Sequence, residues 1–173
     1  MAIERLPEPA LLVMGVLGSS EEALNDAGSR AESVFGPLLR RTTPISFEGF
    51  TSYYENEMGT DLLRSFWVFM ERIFRGSLVE AKLATNRIER NMSVGNRRIV
   101  NLDPGLLSPE SLVMATTKPY SHRVYLSKGI YGELAYMFRK DGGIDLMPWT
   151  YPDYRKSVAM DFFSMIRKEV LLS

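Results

Sequence analysis

Residues 10–17 (ALLVMGVL) form an unbroken apolar run ended by Gly18, the pattern of a strand buried on both faces. Ser19 and Glu22 stand at capping-box spacing, and Leu24, Ala27, Ala31 and Val34 recur at helical intervals until Gly36-Pro37. A strand followed by an amphipathic helix is predicted. Residues 44–50 alternate loosely, and residues 64–74 (RSFWVFMERIF) are rich in aromatic and β-branched side chains, so two more strands follow. Ser77 and Glu80 repeat the capping-box spacing ahead of Ala81, Ala84, Ile88 and Met92, with Gly95 beyond the helix end. Residues 98–103 read as the next strand, closed by Pro104-Gly105. The order β-α-β-β-α-β predicts an α+β chain whose N-terminal half, residues 1–105, is ferredoxin-like.

Residues 106–173 read as an extension made of an antiparallel β-hairpin and a C-terminal amphipathic helix. Ser108-Pro109 has the form of an N-cap and first helical residue, predicting a short helix to residue 117. Residues 122–126 and 130–139 predict two strands joined near Lys128-Gly129, and Asp141-Gly142-Gly143 turns the chain toward residues 144–147. Pro152 opens the last helix, apolar at Val158, Phe162, Phe163, Ile166 and Val170. With no repeat, low-complexity tract or linker, residues 1–173 are expected to form a single domain. The hairpin register has two solutions. A two-residue loop sets Val124 opposite Glu133 and His122 diagonal to it, whereas a three-residue loop pairs Arg123 with Glu133.

Composition then removes several chemistries. There is no Cys and one His, which excludes disulfides, Cys-ligated zinc, iron–sulfur clusters, thiolate catalysis and His-rich metal sites. The N-terminal residues carry two acids and two prolines ahead of the first apolar run, the wrong order for a secretory signal, and no run approaches the roughly 20 residues that cross a bilayer. A cytoplasmic protein without membrane contact is expected. Net charge is zero, which weakens any case for non-specific nucleic-acid binding. Its distribution is uneven: residues 64–98 hold 8 basic and 3 acidic side chains, against 4 and 10 in residues 1–63. Arg72, Arg75, Arg87, Arg90 and Arg97 either form a solvated face paired with the acidic N-terminal third or contact phosphates.

Dinucleotide, P-loop, zinc-protease, nucleophile-elbow and EF-hand signatures are absent. The densest polar stretch is TTKPYSHR (residues 116–123), preceded by NLDPG (residues 101–105). Lys118 and Arg123, with Thr116, Thr117 and Asn101, have the groups that hold a phosphate or carboxylate. His122 is the candidate general acid or base, oriented by Glu133, and Asp103 is the candidate for binding a hydroxyl or a hard cation such as Mg²⁺. Asp103, Lys118, His122 and Glu133 are expected to converge on one cleft. Tyr54 and Glu57, near Tyr53, and Trp149 and Tyr151 lie in aromatic segments that stack rings or cover a core edge. These residues point to a protein that binds a small anionic ligand, phosphorylated or nucleotide-like, and acts on it by acid–base chemistry. The alternatives are an RNA-binding module using the Arg-rich segment 64–98, and a non-catalytic protein-interaction domain.

The segments NLDPG, ATTKPYSHRVYL, GIYGEL and PWTYPDY, with YYENEMG and LLRSF before them, together resemble the Domain of Unknown Function 4416 family of bacterial proteins. The resemblance runs over nearly the whole chain and implies no established activity. It marks the polar positions above, together with Tyr125, Gly129, Ile130, Tyr131, Pro152 and Asp153. Leu106 departs from the pattern, since the family carries an aromatic residue after NLDPG.

Overall fold

A computed structural model describes residues 3–50, 54–95 and 97–173, with Glu55 and Asn56 described in backbone only; Tyr53 lies outside the described residues. The chain is α+β. Among the described residues nine strands form one antiparallel sheet: β1 (Ala10–Gly18), β2 (Leu38–Arg41), β3 (Ile45–Ser46), β4 (Leu63–Ile73), β5 (Val100–Leu107), β6 (Ser111–Thr116), β7 (Val124–Ser127), β8 (Ile130–Phe138) and β9 (Ile144–Leu146). Their order is β2-β4-β1-β5-β6-β8-β7, with β3 on β4 and β9 on β8. Helix α1 (Glu21–Phe35) follows β1, the single turn α2 (Glu55–Met58) precedes β4, α3 (Leu78–Met92) joins β4 to β5, and α4 (Ser157–Ile166) follows a 3-10 turn at Pro152–Arg155.

All nine residues of β1 are buried, because it lies between β4 and β5 and both of its faces are covered. Leu12, Met14 and Val16 pack under α1 and α3, against Ala27, Ala31 and Ile88 among others. Leu11 and Val13 face the other way, into a core of Phe66, Tyr136, Tyr154 and the α4 residues Phe162, Phe163 and Ile166. This two-sided burial is why the sequence of β1 shows a run instead of an alternation. Ser20, not Ser19, caps α1: its hydroxyl accepts from the Ala23 N–H. Ser77 makes no side-chain capping bond.

Three predicted elements are corrected. Residues 108–117 are not helical: Ser108 Oγ accepts the Ser111 N–H across a tight turn, and β6 then alternates, with Leu112 and Met114 buried and Ser111 and Val113 half-buried. Ser-Pro initiates turns as readily as helices, and pairing with β5 and β8 decides between them. The strand predicted over residues 44–50 shortens to two residues, and β2 takes the edge beside β4 immediately after Gly36-Pro37. β5 continues through Pro104-Gly105 to Leu107. Pro104 is tolerated there because it pairs only with Met14 of β1, the ladder with β6 starting at Gly105.

The hairpin closes through the two-residue loop Lys128-Gly129, both residues at positive φ as a type I′ turn demands. An irregularity between Tyr125 and Ser127 then shifts the register, so Val124 pairs with Gly132 and Arg123 comes opposite Glu133. The loop is the short one, and the pairing is the one expected of the longer loop. No helix among the described residues is long and apolar enough to cross a membrane.

Gly105 sits where β5 and β6 approach most closely: a Cβ there would stand 2.9 Å from the Val113 carbonyl oxygen and 2.5 Å from Met114 Sδ. Gly105→Ala is expected to lower unfolding stability by about 1–3 kcal/mol, read from urea denaturation midpoints; an unchanged midpoint would show that the two strands yield freely.

Candidate functional site

β5 and β6 share only three pairs, Gly105 with Met114, Leu106 with Val113 and Leu107 with Leu112. Toward residues 100–104 of β5 and Ala115 and Thr116 of β6, the ladder stops, and a cleft of about 720 Å³ opens in the wedge. Strand alternation aims the cleft residues. Asn101 and Asp103 share one face of β5, and their partners on β1 are Leu17 and Gly15. Arg64 and Phe66 of β4 pair with the same two β1 residues, so Arg64, Asn101 and Asp103 lie on one side of the sheet. Thr116, Thr117 and Lys118 line the cleft from the β6 side, and Tyr54, Tyr120 and Tyr151 complete the lining.

The open edge of β5 is met by charged side chains from α3. Lys82 Nζ donates to the Leu102 carbonyl at 2.9 Å and to Asp103 Oδ1 at 3.2 Å, while Glu89 Oε1 accepts the Leu102 N–H at 2.7 Å. Arg98 continues the chain, its Nη1 bonding both Glu89 Oε2 and Asn101 Oδ1 and its Nη2 reaching Glu57 Oε2 at 2.7 Å. Asn101 Nδ2 donates to the second Asp103 oxygen. Burial works against ionisation of Asp103, but Lys82 and Arg64, with the bonds from Lys82 and Asn101, outweigh it and hold the carboxyl below the usual carboxylate range. Burial dominates at Glu89 and pushes its carboxyl up, against Lys82 and Arg98. Asp103 keeps 30% of its side chain open, so an ionised carboxylate faces the cleft space.

Beneath this floor lies a second ion pair. Arg64 Nε is 2.8 Å from Asp153 Oδ2, with both side chains almost fully buried. Arg64 also stacks over Phe47, 5.0 Å from the ring centroid. Its Nη1 has no hydrogen-bond partner, and neither does the buried Tyr154 hydroxyl beside it.

At the far wall all three guanidinium nitrogens of Arg123 donate a hydrogen bond. Nε donates to Glu133 Oε2, Nη1 to the Lys118 carbonyl at 3.0 Å and Nη2 to the Tyr151 hydroxyl at 3.0 Å, while the Tyr120 ring covers it at 4.5 Å. Arg123 thereby fixes the loop that presents Lys118. His122 Nε2 is 3.0 Å from the same Glu133 oxygen, and its ring stacks on Trp149 at 4.9 Å and 12°. Trp149 Nε1 in turn donates to the Leu134 carbonyl.

Asp103, Lys118 and Glu133 converge on one cleft as expected, with Asn101, Thr116, Thr117, Arg123, Tyr54, Glu57 and Tyr151. His122 and Trp149 do not line it: His122 stands one hydrogen bond behind Glu133, and Trp149 stacks on His122. Sequence reasoning missed Arg64, Lys82, Glu89, Arg98 and Tyr154, and marked Asp153 only through the family resemblance. Lys82 and Glu89 lie in a segment that reads as an amphipathic helix, and Arg64 and Arg98 open segments that read as strands. Only one signal marks them: Lys82 and Glu89 are two turns apart on the side of α3 that carries Ala81, Thr85 and Ile88. Among the described residues no preformed cage for a cation such as Mg²⁺ surrounds Asp103. An ammonium and an amide occupy its two oxygens, and among the described residues no group of three His, Asp or Glu stands together.

Because the folded state lowers the Asp103 pKa, its ionisation adds stability that is fully present above the ordinary carboxylate pKa and is lost as pH falls through the lowered value. Asp103→Asn is expected to cost about 1–3 kcal/mol at neutral pH. That gap should close as urea midpoints are followed into the acid range; a gap independent of pH would show that the charge contributes nothing.

No curated protein and no solved structure matches the chain. Residues 8–169 match the family described as domain of unknown function DUF4416, and that match, running from just before β1 into the helical segment that follows α4, shows that the chain belongs to this family.

Proposed function

We propose that the cleft binds a small anionic ligand, phosphorylated or nucleotide-like. One observation carries the reading: across the wedge from the ammonium of Lys118 and the hydroxyls of Thr116 and Thr117 stands the ionised, part-open carboxylate of Asp103. An anion suits the first wall, ligand hydroxyl or N–H groups suit the second, and the rings of Tyr120 and Tyr151 suit a planar or sugar body between them. Asp103 is the acid–base group in this reading, since it faces the ligand space. His122 reaches that space only through Glu133 and acts as a positioning residue. A ferredoxin-like N-terminal half within a single domain belongs to the same proposal, supported by the order β2-β4-β1-β5 with helices after β1 and β4.

The RNA reading draws less support. Arg64 and Arg98 turn into the cleft, Arg72 donates to the Val170 carbonyl and Arg75 to that of Glu8, which leaves Arg87, Arg90 and Arg97 on the exposed face. Titration calorimetry separates the two. Ribose 5-phosphate is expected to bind, and Lys118→Ala to weaken it at least tenfold, a loss of roughly 1.5–3 kcal/mol from a charge-assisted bond. Replacing Arg87, Arg90 and Arg97 together by Ala should leave that binding unchanged. Absence of ribose 5-phosphate binding, with tight binding of single-stranded RNA lost in the triple variant, would overturn the reading.

A further inference from the structure

We infer that the deep end of the cleft reads the amide edge of a planar heterocycle, its ring carbonyl accepting from Arg64 and Tyr154 and the adjacent ring N–H donating to Asp103. The inference rests on the anionic-ligand reading, which supplies the charged end of the same molecule.

Two buried groups lack what such an edge provides. Arg64 Nη1 and Tyr154 Oη have no hydrogen-bond partner, although both side chains are more than nine-tenths buried and both line the cleft. A buried polar group without a partner is costly, and native chains keep few of them. Both atoms converge on Gly15: a Cβ there would collide with Tyr154 Oη and stand 3.4 Å from Arg64 Nη1. One acceptor oxygen placed near that point can receive from both. Asp103 is the direct cross-strand partner of Gly15, so an acceptor stands beside the two donors.

Charge selects the kind of oxygen. Arg64 is already paired with Asp153 at 2.8 Å and lies in the field of Asp103 as well, so a second anion at this depth would meet two carboxylates. It would also have to shed its water to reach buried donors. An uncharged carbonyl avoids both costs. Burial keeps the Tyr154 phenol protonated and able to donate. Phe47 and Tyr54 line the same end and offer apolar surface to a ring. Carbonyl next to N–H is the edge of a cyclic amide, in which the acceptor is an oxygen and the donor belongs to the ring.

Matched nucleotides test the assignment on the whole chain. Uridine 5′-monophosphate carries the carbonyl and N–H edge where cytidine 5′-monophosphate carries an amine and a bare nitrogen; inosine and adenosine 5′-monophosphates form the same contrast in a purine. Calorimetry is expected to show the uridine and inosine compounds binding at least tenfold tighter than their counterparts. Tyr154→Phe should remove at least half of that ratio on a logarithmic scale while the melting temperature holds, because the lost hydroxyl has no partner. Asp103→Asn, which can also donate, should bring the ratio toward one. Equal binding of all four nucleotides and of ribose 5-phosphate would overturn the inference and leave the anionic-ligand reading intact. Failure of every probe to bind would remove both. A ratio unaltered in both variants would show that another part of the cleft reads the ring.

Discussion

A strand inside a sheet that loses its neighbour must find other partners for its backbone, and that constraint governs β5. The ladder with β6 ends at Gly105, leaving Leu102 on an open edge in the interior of the molecule. Lys82 donates to its carbonyl and Glu89 accepts its N–H, so two side chains of α3 do the work of the absent strand. The helix therefore carries buried charge where an amphipathic helix would carry aliphatic residues. Further partners follow from that choice: Asp103 bonds Lys82, Arg98 bonds Glu89, and Asn101 and Glu57 both bond Arg98. The cleft and its charges are two results of one interruption.

The same interruption explains why the lining is balanced. Arg64 with Asp153, Lys82 with Asp103, Arg98 with Glu57 and Glu89, and Arg123 with Glu133 are each set against an opposite charge. Buried ions without such partners would unfold the chain, and paired ones still contribute little net stability. What they supply is orientation. Arg123 is the clearest case, since three of its five N–H donors are taken by three different segments. Arg123 lines the cleft and at the same time ties its wall together.

Periodicity made β1, α1, α3 and β4 legible, because their burial is uniform along each face and leaves a clean run or stripe. It failed at β6, where a Ser-Pro turn imitates a helix start, and at β2, whose four half-exposed residues carry no pattern at all. The polar clusters near residues 101–103 and 116–123 announced half of the site, since hydroxyl, amide and charged groups at that density have few uses in a core. The other half was hidden for a physical reason. Lys82 and Glu89 read as part of an amphipathic helix and Arg98 as the opening of a strand, and only knowledge that β6 departs from β5 would turn them inward.

Tyr154 and Arg64 expose the tension that remains. The phenol occupies the space that any side chain at Gly15 would need, so the sheet is thinned at one residue to admit a hydroxyl that nothing in the chain bonds. Replacing it with Phe would keep the ring contacts to Phe66 and Phe163 and remove the unpaired group. Packing alone therefore favours Phe, and a core selected for stability would carry it. Stability accounts for the ring of Tyr154 and leaves its oxygen unexplained, and it is on that oxygen that the proposed contact with a ligand ring rests.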